Sequence, residues 1–332
     1  MAALQASDFG DTMQTIADLK NEPRDQKVSF EAVLILRKAS IRRARNDSEF
    51  LMVELGDKTG IFHVVCFENS ANFQFFQNLD EGTVVRAQGT TGYYQNRFSP
   101  NLSFVEKLPQ DQISHYLERL IETAPIPLNE LWTEFNAFAD AIERPELKET
   151  VKEAIGELES SFRTGPAAVS MHHAYRGGLI EHSVRMARAA KALLPLYPEV
   201  NADLAMAGVL VHDLGKCLEY SQDLATRRTP LGIMQGHVVL GYRQVRRAAI
   251  KAKLDPEWQE RLEHIVLSHQ GELEWGAAAK AATPEAVFVS MVDNLDAKMG
   301  MVQYALRTTP SSEEMSEFVA GLGAPVLVKG VK

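Results

Sequence analysis

The spacing of hydrophobic residues changes abruptly near residue 110, and this change commits the chain to two unlike halves. Before it, Val28, Phe30, Ala32, Leu34 and Leu36 fall on one face at period two, while Ser29 and Glu31 take the other. That is the pattern of a half-buried strand. Val33 and Ile35 make the end of this strand apolar on both faces. Residues 50–55 and 61–67 form a second and a third strand around the turn chemistry of Gly56-Asp57-Lys58-Thr59-Gly60. Residues 82–88 and 98–105 give a fourth and a fifth, with Gly92-Tyr93-Tyr94 between them, and 69–79 reads as a short helix. Five short strands with a helix in that place fit a small Greek-key barrel of the OB type.

From Asp111 onward the period is helical. Ile113, Tyr116, Leu117, Leu120 and Ile121 share a face, and 128–155 continues the pattern with an interruption at Pro145. After Gly165-Pro166, helices are expected over 181–194, 202–214, 236–251, 256–269 and 284–306. The predicted organisation is multidomain, α and β: a barrel over 1–110, a helical connector over 111–164, an all-α domain over 165–307 and a tail over 308–332. A chain of 332 residues has room for this.

The net charge of -9 argues against general polyanion binding by bulk electrostatics and leaves room for a local basic groove. Cys66 and Cys217 lie far apart, form no metal or redox motif and suit a reducing cytoplasm. No signal peptide opens the chain, and no apolar run approaches the roughly 18 residues of a membrane span, so no membrane partner is expected.

The helical half carries the chemistry. Seven of the nine histidines fall between His172 and His269. A His212-Asp213 doublet ends an apolar helix and is followed by Gly215, which lets the helix stop, and by Lys216, a point charge suited to a phosphate. His182 opens an earlier helix. Asp293 follows the apolar run 286–292, where a carboxylate is costly unless it is paired or metal-bound. His182, His212, Asp213 and Asp293 can converge on one divalent ion. Asp213 can bridge to a second held by His237, His264 and His269. Mixed imidazole and carboxylate ligation suits Mn, Fe, Co, Ni or Zn, with Mg possible. Asp296, almost a turn beyond Asp293, would orient a ligand histidine, form a salt bridge or lie on an exposed face. The glycines near His182 and His237 would let a nucleic-acid backbone approach, or would only terminate helices.

The order His182, His212-Asp213, Asp293 resembles the HD-domain metal-dependent phosphohydrolases. Met171-His172-His173-Ala174-Tyr175-Arg176-Gly177-Gly178-Leu179-Ile180-Glu181-His182 and His212-Asp213-Leu214-Gly215-Lys216 with Glu219-Tyr220 bring the match closer to one branch. Gly236-His237, Ser268-His269-Gln270-Gly271 and Asp293-Asn294-Leu295-Asp296-Ala297-Lys298 complete it. Together these are similar to YhaM-type 3′→5′ exoribonucleases, which pair an N-terminal OB-fold with an HD domain. The resemblance implies a metal-dependent 3′→5′ exonuclease that acts on single-stranded RNA or DNA and releases nucleoside monophosphates, with one or two divalent ions as cofactor. Asp213 and Lys216 are expected to act in the chemistry, Lys216 and Arg176 would offset charge on the scissile phosphate, and His172 and His173, which match the family motif, would contact substrate near the metal or simply pack. Where this chain has His269-Gln270 the family usually carries two adjacent histidines. Glutamine is a poorer ligand, which predicts a weaker second ion.

In the barrel half, Arg37, Lys38, Arg42, Arg43 and Arg45 cluster at the end of the first strand and the loop after it, with no acid between them. That loop lies near the oligonucleotide path in OB-folds. Tyr93 and Tyr94, with Phe62 and Phe98, offer stacking surfaces. Two other readings use the same residues. One is hydrolysis of small nucleotides or cyclic dinucleotides with a regulatory barrel. The other is a non-catalytic single-strand binder in which metal only stabilises the helices.

Overall fold

The computed structural model describes residues 13–44, 47–94, 97–167, 175–221, 224, 226–309 and 313–331. The chain divides into two units, Met1–Glu122 with Asp223–Ala225, and Thr123–Gln222 with Thr226–Lys332.

The first unit is the expected barrel. Its antiparallel sheet has the order β3-β2-β1-β4-β7, with β1 Ser29–Arg43, β2 Glu49–Asp57, β3 Gly60–Phe67, β4 Val84–Thr90 and β7 Asn101–Lys107. The short pair β5 (Tyr93–Tyr94) and β6 (Arg97–Phe98) makes a separate hairpin, so Phe98 does not open the last long strand. Strand β1 runs longer than its periodicity suggested. Its first half pairs with β4 and its second with β2, and the register shifts between Leu36 and Lys38. Such an irregularity bends a strand, which lets one strand serve two parts of a curled sheet. Phe30, Leu34, Leu36, Leu51, Val53, Leu55, Phe62, Val64, Val85 and Ala87 fill the interior.

Two short helices add to that interior. Helix α2 (Ala71–Gln77) is started by the Ser70 hydroxyl, which accepts from the Phe73 amide, and it buries Phe73 and Phe76. Helix α1 (Ile16–Asn21) has a Thr15/Asp18 capping box and inserts Ile16 and Leu19. Its first amides donate to Asp57 and Thr59, at the turn between β2 and β3. Helix α3 (Gln110–Leu120) buries Leu120 beside Leu108, Val33 and Ile35.

Up to the tail, the described residues of the second unit are mainly helical. Its helices are α4 Leu128–Asp140, α5 Pro145–Ile155, α6 Glu159–Thr164, α7 Gly178–Leu193, α8 Ala202–Val211, α9 Lys216–Glu219, α10 Pro230–Lys251, α11 Pro256–Ser268 and α12 Pro284–Thr308. The segment expected as a connector is therefore shared: α3 belongs to the first unit, while Leu131, Phe135, Leu147, Val151 and Phe162 of α4–α6 enter the second unit's core. Helix α8 is apolar on all sides, as a helix surrounded by others must be. Leu204, Val209, Leu210 and Val211 are all buried. Each contributes about 1.5–3 kcal/mol relative to exposure. The end of α8 is thus buried too, and the doublet His212-Asp213 lies there. In the tail, isolated bridges join Met315 to Leu327 and Val319 to Ala324. Among the described residues no helix is long and apolar enough to cross a membrane.

Candidate metal centre and strand-binding face

Glycines set the local geometry around the doublet. Gly215 does not terminate a helix through a left-handed conformation, as its sequence position suggested; its φ is -62°. What it supplies is space. A Cβ there would stand 1.9 Å from the carbonyl oxygen of His237, so only glycine lets α10 come alongside the turn that carries Asp213. Gly236 supplies conformation instead. With φ 66° and ψ 160° it breaks α10 one residue before His237, where an L side chain would be strained. Gly177, expected to admit a nucleic-acid backbone, instead lies against Leu128 and Ala124 of its own unit.

Two ligand groups share Asp213. His182, His212 and Asp213 form one; Asp213, His237 and His269 form the other. In the first, Nε2 of His212 lies 3.2 Å from Asp213 Oδ2 and Nε2 of His182 lies 3.7 Å from it. Asp293 brings Oδ1 to 3.2 Å from His182 Nε2, with only 14% of its side chain exposed. In the second, Asp213 Oδ1 is 3.7 Å from His237 Nε2 and 3.5 Å from His269 Nε2. Oδ1 is buried and has no hydrogen-bond partner among the described residues.

The tautomers are fixed from behind. His212 Nδ1 donates to the Val209 carbonyl at 2.8 Å, and His269 Nδ1 to the Val266 carbonyl at 2.7 Å. His182 Nδ1 donates to Asp296 at 2.8 Å and His237 Nδ1 to Glu219 at 2.9 Å. A carbonyl oxygen or a carboxylate can only accept, so the proton of each neutral ring sits on Nδ1 and the lone pair on Nε2. All four lone pairs face the carboxylate of Asp213. Two of them, on His182 and His212, are 3.3 Å apart. Such an arrangement calls for a cation, and the donor set of imidazole and carboxylate fits a divalent transition ion.

In the metal-free chain a proton meets part of that demand. Burial disfavours a charged His182, but hydrogen bonds to Asp293 and Asp296 outweigh it and push its pKa up to about 10. Burial likewise works against ionised Asp293, and the His182 contact overrides it, bringing it to about 2. Lys216 is buried with Nζ 2.6 Å from Asp213 Oδ2. Its ammonium is therefore bound to Asp213 rather than held out for a phosphate. Against the cost of burial, that ammonium holds the Asp213 carboxyl well below the usual range.

Other expected site residues are not brought here. His264 accepts the Ala282 amide at Nε2, 2.8 Å away, and stands outside both groups. Gln270 stands there in its place, with its amide nitrogen 3.2 Å from His237 Nε2 and 3.1 Å from His269 Nε2. Arg176 is tied through its carbonyl to the Ala124 amide and lines a separate cavity with Asn129 and Arg163. His172 and His173 lie outside the described residues. Asp296 is buried rather than on an exposed face, and accepts from Arg185 Nε at 2.7 Å as well as from His182. Glu219, present in the motif without a role, proves to be the partner of His237.

In the barrel unit, Arg42 and Arg43 lie on β1 itself rather than in a loop, because β1 continues along β2. Both are exposed, and Arg43 pairs with Glu49. Arg45 lies outside the described residues. Arg37 is half-buried, donating to the Leu120 carbonyl. Phe62, expected to stack bases, is 2% exposed in the core. Phe98 packs edge-on against Phe62 and Tyr93, and Tyr93 donates its hydroxyl to the Lys20 carbonyl. Tyr94 is exposed. The aromatic missed in the sequence is Phe67, 68% exposed. Register places Arg42, Phe50 and Phe67 in one cross-strand row, with Ser40, Met52 and Val65 in the next row on that face. A cation beside aromatic and apolar side chains on this face suits a single strand.

Residues 179–298 match the HD domain family, and residues 33–108 match a family described as an OB-fold nucleic acid binding domain. The chain is 30% identical to the 3'-5' exoribonuclease YhaM of Bacillus subtilis (strain 168) over 280 residues, 84% of this chain and 88% of the relative. It is 31% identical to the 3'-5' exoribonuclease YhaM of Shouchella clausii (strain KSM-K16) over 299 residues, 89% and 91%. A chain from a solved Replication Protein A heterotrimer bound to ssDNA overlays 31% of this chain and 85% of its own length at 17% identity. Its TM-score is 0.24, too low to bear on the fold.

Proposed function

The chain belongs to the YhaM-type 3′→5′ exoribonuclease family, and on that premise we propose that it is a metal-dependent phosphodiesterase that shortens single-stranded RNA from its 3′ end and releases nucleoside monophosphates. Single-stranded DNA is a second substrate. The observation that carries the reading is the convergence of the Nε2 atoms of His182 and His212 on Asp213 and Asp293, each ring held at Nδ1 from behind. His182, His212, Asp213 and Asp293 would hold a divalent ion, with Mn, Fe, Co, Ni and Zn all suited to them. When bound, such an ion polarises a phosphoryl oxygen and lowers the pKa of water.

The chain's own residues supply the rest. Asp296 keeps His182 in the ligating tautomer, and the carbonyls of Val209 and Val266 do the same for His212 and His269. Lys216 offsets the charge of Asp213, so that an anionic phosphate meets a less negative site. In the barrel, Arg42 follows the phosphates of the strand, while Phe67 and Tyr94 offer faces on which bases stack whatever their identity.

The test is a time course on 5′-labelled single-stranded RNA and DNA with chelator-stripped protein, with and without each divalent ion. The proposal expects products that shorten from the 3′ end only when metal is present. Turnover of small nucleotides or cyclic dinucleotides alone would replace it with a small-molecule phosphohydrolase. Binding without turnover under any ion would replace it with a strand-binding protein.

A further inference from the structure

We propose that Gln270 closes the second ligand group, so that the chain holds one divalent ion rather than two. This rests on the reading of the first group as the metal centre.

The tautomers of His237 and His269 carry the inference. Both Nδ1 atoms donate, to Glu219 and to the Val266 carbonyl, so both Nε2 atoms present lone pairs. These are the lone pairs a second ion would need beside Asp213 Oδ1. The Gln270 amide lies between them, 3.2 Å from one and 3.1 Å from the other. An amide NH2 has two hydrogens, one for each. Its carbonyl end could not take that place, because an oxygen there would face two lone pairs. The orientation of the amide therefore follows from the tautomers, and both ligating nitrogens are used as acceptors.

A histidine at 270 would act in the opposite sense, adding a ligand where the amide caps two. His264 offers no substitute, since its Nε2 already accepts the Ala282 amide. The first group is left as it was: no contact of Gln270 reaches His182, His212 or Asp293 among the described hydrogen bonds. The chain then performs its chemistry with one ion. The second cluster then closes on itself through the Gln270 amide.

The test is metal content at equilibrium. The full chain, stripped with chelator, is dialysed against excess Mn2+ and its manganese is measured per chain, alongside Gln270→His and Gln270→Ala. The inference expects about one ion in the wild type and about two in Gln270→His. It also expects a rise above one in Gln270→Ala, where removing the cap frees Asp213, His237 and His269. Were Gln270 a ligand through its oxygen, Gln270→Ala would instead hold less metal than the wild type. Two ions per wild-type chain would overturn the inference and leave the metal centre standing, as would one ion in all three proteins. No ion in the wild type would overturn both.

Discussion

Asp296 Oδ2 accepts from Nδ1 of His182 at 2.8 Å, and in doing so decides which nitrogen of a buried ring is free to ligate. Its other oxygen takes Arg185 Nε at 2.7 Å, and Arg185 Nη1 donates to Gln303. The carboxylate is thus held on both sides. Asp296→Asn keeps the shape but can present an NH2 to Nδ1, which would favour the wrong tautomer. We predict a loss of about 10–100-fold in Mn2+ affinity, read by calorimetric titration, with helical content unchanged by circular dichroism. Wild-type affinity in the variant would show that the ring needs no such support.

The doublet and its lysine separate chemistry from stability. His212→Ala should abolish hydrolysis and sharply lower bound metal. Asp213→Ala should do the same and also strand the buried Lys216 ammonium, a penalty of about 3–5 kcal/mol. Adding Lys216→Met to Asp213→Ala should restore most of the stability in urea unfolding and none of the activity. Equal stability of Asp213→Ala and His212→Ala would mean that the Lys216 pair counts for little in the fold.

Metal binding should expel a proton. His182 has a folded pKa of about 10 in the metal-free chain, raised above the roughly 6.5 of a free imidazole. Its contribution to metal-free stability is therefore fully present below about pH 6.5 and fades as pH rises through about 10. At neutral pH the ring is charged, and a ligating Nε2 must lose its proton. Calorimetry in buffers of different ionisation enthalpy should report about one proton released per ion at pH 7. Release of none would contradict the assignment of His182 as a ligand.

The barrel face gives a prediction that leaves the metal centre untouched. Phe67→Ala should weaken binding of long single strands by about 1–3 kcal/mol. Arg42→Ala should lower the salt slope of binding by about 0.7. Hydrolysis of a short chromogenic phosphodiester should hardly change in either. Phe62→Ala should instead destabilise the barrel by about 3–5 kcal/mol. If Phe67→Ala lowers turnover of short and long substrates alike, the division of labour between the units is wrong.

Two of the misplaced side chains, His264 and Phe62, share a cause. His264 and His269 are five residues apart, about 140° around a helix, so one faces the metal centre and the other cannot. Phe62 and Phe67 are also five apart, an odd number along a strand, so they point to opposite faces. Both facts were present in the spacing once the element was known. The convergence of His182, His212, Asp213 and Asp293 was legible because charged and ligating groups at a buried helix end, or inside an apolar run, are costly unless something binds them. What could not be read was contact between distant segments. Nothing local shows that Gly215 must admit the backbone of His237, that β1 runs on to Arg43 because β2 pairs with it, or that Ile16 and Leu19 enter the barrel.

One ion is expected where His182 and His212 face Asp213 and Asp293. Anomalous diffraction at the manganese edge from crystals grown with Mn2+ tests it most directly. A single peak is expected within about 2–2.3 Å of His182 Nε2, His212 Nε2 and carboxylate oxygens of Asp213 and Asp293, and none between His237 and His269. A peak held only by His237 and His269, or no peak near Asp213 at saturating metal, would contradict it.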